Sequence, residues 1–142
     1  MASFFKFNQF AQDVGRGVHN LHSDTKKVYL TNATPDAAAD AVKADLAEIS
    51  GGNGYTAGGH TVANSSYAQT SGVGKLVGDD IVVTASGGTV GPFRYAVLYN
   101  DTPTSPADPL IGCWDYGSSI TLQDGESITV DFNATNGILT VS

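Results

Sequence analysis

The 142-residue chain is expected to fold as a mainly β protein, an antiparallel β-sandwich or partly closed barrel with an N-terminal helix or arm. Three observations predict this. From His60 onward apolar and polar residues alternate with a period of two, the pattern of a strand buried on one face. Turn signals recur at short intervals: Gly87-Gly88, Gly91-Pro92, Asn100-Asp101-Thr102-Pro103, Asp124-Gly125 and Asn136-Gly137. Charged residues make up 15% of the chain against about 25% in typical domains, with 17 glycines and five prolines, a composition of short strands and many turns.

The N-terminal part is the exception to period two. Phe7, Phe10, Val14, Val18 and Leu21 recur every three or four residues and predict a helix over 7–21, weakened by Gly15 and Gly17. Residues 1–27 carry Lys6, Arg16, Lys26 and Lys27 against Asp13 and Asp24, a net charge of +2 that leaves −9 on residues 28–142. This asymmetry, with the extra apolar surface of Phe4 and Phe5, divides one domain into a docking arm over 1–27 and a β body over 28–142. The candidate contact residues are Phe4, Phe5, Phe7, Phe10 and Arg16 on the arm and Tyr55 in the body. Deleting residues 1–10 is expected to leave the body folded.

Residues 27–32 (KVYLTN) read as a strand. Thr34 then stands where it can cap a short helix near 35–43, with Pro35 at its first position and an alanine run behind it. Ala44 to Ile49 fits either the continuation of that helix or a strand. Gly51 to Gly59 (GGNGYTAGG) reads as a shaped loop anchored by Tyr55, because glycine supplies positive φ angles and close backbone approach. Beyond it, strands are expected at 60–66, 75–77, 80–86, 94–100, 110–116, 118–122, 126–132 and 137–141, with Ile81, Val83 and Ala85 sharing one face.

Residues that could carry chemistry read as structural instead. Gly52 to Ala57 satisfies G-x-G-x-x-A, yet Gly58-Gly59 follow where a dinucleotide-binding helix would begin. The single Cys113 sits in an apolar run between Ile111 and Trp114 and reads as core. His19 and His22 are spaced for one helical face but lack further ligands for zinc. Asp79 and Asp80 would point to opposite sides of a strand. Tyr55, Tyr67, Tyr95, Tyr99, Trp114 and Tyr116 could stack on a sugar but alternate mostly within strands. No enzyme activity, cofactor or metal is expected. The net charge of −7 disfavours nucleic acid, and no run approaches membrane-spanning length. The four N-x-S/T matches, at Asn32, Asn64, Asn100 and Asn133, read as compositional accidents without a secretory leader.

Three segments resemble a known family: residues 5–30 (FKFNQFAQDVGRGVHNLHSDTKKVYL), residues 44–59 (ADLAEISGGNGYTAGG), and residues 91–116 with their continuation to 139. The stretches GPFRYAVLYND, DPLIG-x-WDYGSSITL and G-x-x-x-TVDF are similar to small tailed-bacteriophage and prophage virion structural proteins. The sequence departs from that pattern at Cys113, where a large aromatic is commoner, and at Ala37 to Asp40. The resemblance implies a capsid decoration, or cement, protein that binds the major capsid protein on the virion surface after synthesis in the host cytoplasm. A tail, neck or fibre-associated subunit is the alternative it implies, and a carbohydrate-binding module for host attachment is a second alternative. A homo-oligomer is compatible with any of these.

Overall fold

The computed structural model describes residues 3–133 and 135–142. Met1 and Ala2 of the expected arm, and Ala134 within one of the N-x-T matches, lie outside the described residues. The chain runs β1 (Ser3–Lys6), α1 (Asn8–Gly15), β2 (Lys26–Thr31), a 3-10 turn (Lys43–Asp45), β3 (His60–Thr61), β4 (Ser66–Thr70), β5 (Val73–Val77), β6 (Ile81–Thr84), β7 (Val90–Asn100), β8 (Leu110–Leu122), β9 (Ser127–Val130) and β10 (Leu139–Val141). It forms a five-stranded sheet in the order β1-β8-β7-β2-β3, a three-stranded sheet β10-β5-β4 and a two-stranded ribbon β6-β9. Strand pairing is antiparallel throughout these sheets, and the architecture is mainly β and sandwich-like, with no closed barrel among the described residues.

The large sheet is covered on both faces, and strand alternation, broken once at Ile111 where the register shifts between Leu98 and Tyr99, decides which side chain meets which cover. Val28, Leu30, Ala96, Leu98, Ile111 and Trp114 point into the larger core, where they meet Leu76 and Leu139 of the three-stranded sheet and Ile81, Val83 and Val130 of the ribbon. Tyr29, Tyr95, Val97, Tyr99, Leu110 and Cys113 point the other way, into a second core closed by Phe7 and Leu46 with Ala33 and Phe5 at its margin. Burial on both sides explains why Tyr95 to Asn100 is continuously buried and reads as an apolar run.

Most expected strands are present, with two adjustments. Leu110–Tyr116 and Ser118–Leu122 are one strand, β8, interrupted by a bulge: Phe93 pairs with Ile120 and Tyr95 with Asp115, so Tyr116 to Ser119 stand opposite Arg94 alone. The segment 60–66 keeps only two strand residues before β4 begins. Ile81, Val83 and Ala85 do share one face and are all buried, while Val82 between them is 57% exposed.

The N-terminal expectations are corrected in two respects. The helix predicted over 7–21 ends at Gly15 because Gly17 adopts φ +75° and stops it. Gly17 N–H then donates to the Val14 carbonyl and Val18 N–H to the Asp13 carbonyl, the paired closing bonds of a glycine-terminated helix. The division into an arm over 1–27 and a body over 28–142 falls inside β2. β1 is an integral edge strand, registered Phe4 with Trp114 and Phe5 with Cys113, and α1 packs against β8.

The short helix expected near 35–43 is not formed. Asp36 Oδ1 accepts the N–H groups of Ala38 and Ala39, Asp40 Oδ2 accepts that of Asp36, and Asp45 Oδ2 accepts those of Ala41 and Val42. Aspartate side chains thus take backbone donors that a helix would have used. Leu46 is extended and buried, and Glu48 bridges Thr31, so the end of Ala44–Ile49 follows the strand alternative. Among the described residues no helix is long and apolar enough to cross a membrane.

Candidate functional site

The densest polar constellation lies where the glycine loop meets the large sheet. Glu48 accepts the Tyr55 hydroxyl at 2.6 Å, the Gly58 N–H at 2.7 Å and Lys43 Nζ at 2.9 Å. Tyr55, 2% exposed, also accepts the Leu30 N–H at 3.0 Å, so one hydroxyl joins loop, sheet and carboxylate. The Tyr99 hydroxyl donates to the Gly58 carbonyl, and Lys43 Nζ lies 4.8 Å from the Tyr29 ring centre. Burial pushes the Glu48 carboxyl up, but the three donors outweigh it and hold the group below its ordinary range. Burial, followed by the hydrogen bond to Glu48, pushes the Tyr55 phenol far up. A carboxylate with three donors and a phenol that stays protonated form a clamp, and neither is poised for proton transfer near neutrality.

Glycine is required at two points of this loop. Gly59 has φ +91° and Gly54 φ +98°, and a Cβ would land on the Val28 carbonyl oxygen and the Thr84 carbonyl oxygen respectively. The G-x-G-x-x-A match therefore serves close packing of loop on strands, and Gly52 pairs with Tyr55 in a tight turn where a helix would have to start.

A second constellation ties α1 and the following turn to the sheet. Asn100 Nδ2 donates to Asp24 Oδ2 at 2.8 Å and meets His19 Nδ1 at 3.1 Å. Both amide protons are then used, so His19 Nδ1 accepts and the neutral ring carries its proton on Nε2. Lys26, 1% exposed, donates to the Leu21 and Asp24 carbonyls at 2.6 Å each. Asp13 is buried on α1; its Oδ1 accepts Gln9, whereas Asp13 Oδ2 and His19 Nε2 have no protein partner. Burial lowers the His19 pKa against the raising influence of Asp13 and Asp24, with Lys26 also lowering it.

The remaining candidates are placed individually. His22 lies in the turn after α1, away from any helical face shared with His19, and its Nδ1 accepts the Tyr67 N–H. Cys113 is fully buried in the second core, and burial, with Asp115 nearby, pushes its thiol up to about 12. Asp79 binds Asn64, whereas Asp80 accepts the Phe132 N–H. Arg94 pairs with Asp115 through two hydrogen bonds, 2.9 and 3.1 Å, across the β8 bulge. Tyr55, Tyr95, Tyr99 and Trp114 are buried, leaving Tyr67 and Tyr116 half-buried.

Of the six candidate contact residues, Phe7, Phe10 and Tyr55 belong to the cores, at 1%, 3% and 2% exposure. Phe4 stacks on Trp114 and Phe5 on Phe7, both half-buried, and Arg16 is exposed. A surface role is thus left to Phe4, Phe5 and Arg16. Sequence reasoning missed Glu48, Lys43, Lys26 and Asn100. Their partners lie up to 81 residues away in the chain, and no local spacing announces them.

The class these features define is an antiparallel, sandwich-like β protein whose polar clusters brace loops on a sheet covered on both faces. No family profile, no curated protein and no solved structure matches the chain.

Proposed function

We propose that the chain is a virion structural protein of a tailed phage, and specifically a decoration protein that binds the assembled head and stabilises it. What carries this reading is the resemblance, read from the sequence, of GPFRYAVLYND and DPLIG-x-WDYGSSITL to such proteins. These stretches coincide with β7 and β8, the central pair of the large sheet. The way ionisable groups are used supports it. Glu48, Lys43, Lys26, Arg94 and Asp115 are each committed to internal partners that hold loops in place. What faces outward on β4, β6 and β9 is mostly small, namely Ala68, Thr70, Thr84, Ser127 and Thr129 beside Gln69 and Val82, and the serine, threonine and alanine side chains lose little rotamer freedom when a contact orders them.

A cement protein acts by mass action: binding only to the assembled shell stabilises it by about 2.7 kcal/mol per site at a hundredfold excess over the dissociation constant. Shape and a persistent fold suffice for that role. The test uses particles of the phage that encodes this chain, analysed by mass spectrometry, beside particles from which the reading frame has been deleted. The chain should be present in stoichiometric amount, and the deleted particles should release DNA at a lower temperature. Its absence from purified particles would sink the proposal, and its presence in isolated tails but not heads would move it to the tail.

A further inference from the structure

Lys26 and Asn100 face each other across β2 and β7. They are register partners, the next pair along the same face after Val28 with Leu98, so both side chains lie on the side of the sheet that carries the larger core. The Asn100 N–H points away from β2, to the Pro109 carbonyl, and the Lys26 carbonyl points away from β7, to the Val62 N–H. The pair is therefore of the kind that exchanges no backbone bonds, in which side chains approach most closely. Lys26 is 1% exposed and Asn100 0%. The turn between α1 and β2 closes over them with His19, Leu21 and Asp24.

Both ends of the Asn100 amide are held. Oδ1 accepts the Thr102 N–H at 3.1 Å, while Nδ2 donates to Asp24 Oδ2 at 2.8 Å and meets His19 Nδ1 at 3.1 Å. The Lys26 ammonium donates to the Leu21 and Asp24 carbonyls at 2.6 Å each, which uses two of its three protons. Asp24 thus touches both side chains, one through its main-chain carbonyl and the other through its carboxylate. Burial lowers the Lys26 pKa against the raising influence of Asp24, so exclusion of water eases release of a proton from the amine.

We propose that Lys26 and Asn100 join in an intramolecular isopeptide bond, Nζ to Cγ, with Asp24 as the catalytic proton carrier. Lys26 gives one ammonium proton to the Asp24 carboxylate, and the freed lone pair attacks Cγ. Charge develops on Oδ1, where the Thr102 N–H already donates. Asp24 passes the proton to Nδ2, at 2.8 Å, and a second proton from Nζ follows by the same route. The Cγ–Nδ2 bond breaks and the nitrogen, which began with two protons, leaves with four as ammonium. No electrons change hands and no co-reactant is needed. Holding amine and amide side by side in a closed site supplies the proximity that this slow reaction lacks in water. The product ties β2 to β7 across a long stretch of chain and so restricts the unfolded state as a disulfide would, with chemistry that reductants do not reverse. The inference is independent of the virion reading and concerns the isolated chain.

The test is the intact mass of the purified full-length chain, measured under denaturing conditions after the folded protein has been held at room temperature for days. It should be lighter than its sequence by one ammonia, and a tryptic digest should contain a branched peptide joining Lys26 to Asn100, uncleaved after Lys26. Lys26→Arg, which keeps the charge but cannot form the bond, should have the full sequence mass. Asp24→Asn should slow the loss of ammonia about a hundredfold, the scale of a proton carrier. A wild-type chain at its full sequence mass would overturn the assignment without recourse to any variant. Loss of one water instead would make a carboxylate the acyl partner and reject Asn100. Loss of ammonia that persists in Lys26→Arg would also reject the bond, because it would mark a succinimide at Asn53-Gly54 or Asn136-Gly137.

Discussion

The Tyr55 hydroxyl donates to Glu48 Oε2 at 2.6 Å while accepting the Leu30 N–H at 3.0 Å. One phenol oxygen thus stands between the glycine loop, the segment covering the second face and the middle of β2.

Removing that oxygen tests whether the clamp holds the loop. Tyr55→Phe keeps the ring in the core but leaves the buried Leu30 N–H without its acceptor and takes one donor from Glu48, so a loss of about 2 kcal/mol is expected from urea denaturation. Glu48 should also titrate higher in the variant. Its folded pKa lies below the ordinary value of 4.5, so it contributes stability that is present above about pH 4.5 and lost as the pH falls through the folded pKa. Tyr55→Phe should flatten that acid limb, and an unchanged limb would mean that Lys43 and Gly58 suffice.

His19 acts in the same direction at higher pH. Burial lowers its pKa from 6.5, so below that value the unfolded chain takes up the proton more readily and folding loses stability as the pH falls toward the folded pKa. Protonating Nδ1 also sets a donor against Asn100 Nδ2. Burial lowers the His60 pKa in the same direction. Urea midpoints measured between pH 7.5 and 5 should decline, and His19→Gln with His60→Gln should remove most of the slope. A rising midpoint would show that Asp13 and Asp24 govern His19 after all.

Two glycines of like backbone angle should behave differently. Gly72, at φ +84° on the β4–β5 turn, has open space within 4 Å of where an alanine methyl would stand, so Gly72→Ala meets only the left-handed backbone cost of about 1–2 kcal/mol. Gly59→Ala, at φ +91°, adds collision with the Val28 carbonyl and should cost clearly more, or prevent folding. Thermal melts of the pair measure the difference, and equal melting points would mean that the loop relaxes away from β2.

The N-terminal residues offer a direct measurement of where the body begins. Phe7 and Phe10 fill the two cores and β1 pairs along β8, so deleting residues 1–10 should destabilise the whole domain instead of leaving it intact. Phe10→Ala alone should cost about 3–5 kcal/mol. A truncated chain with the wild-type melting temperature would restore the idea of a separable arm.

Several elements are legible in the sequence. Alternation places Ile81, Val83 and Ala85 on one buried face, glycine density marks the loop at 51–59, and Tyr55 is recognisable as its anchor. The helix expected near 35–43 fails at Asp36, which reads as an ordinary helix-start acid, and at Asp40 and Asp45 after it. Their carboxylates instead turn back on neighbouring N–H groups, a competition that propensity cannot rank. The clamp and the buried Asn100 cluster leave no signal, since Glu48 is one carboxylate among 14 acidic residues and Asn100 reads as part of a turn.

Period, turns and composition alone determined that this is a turn-rich, mainly β chain, because those properties are local and survive in any register. Which strands neighbour one another was decided only in three dimensions, as was the assignment of Phe7 and Phe10 to the chain's own cores and of Lys6 and Arg16 to its surface. Those outcomes depend on contacts between residues far apart in sequence, where burial of one side chain is settled by what happens to cover it.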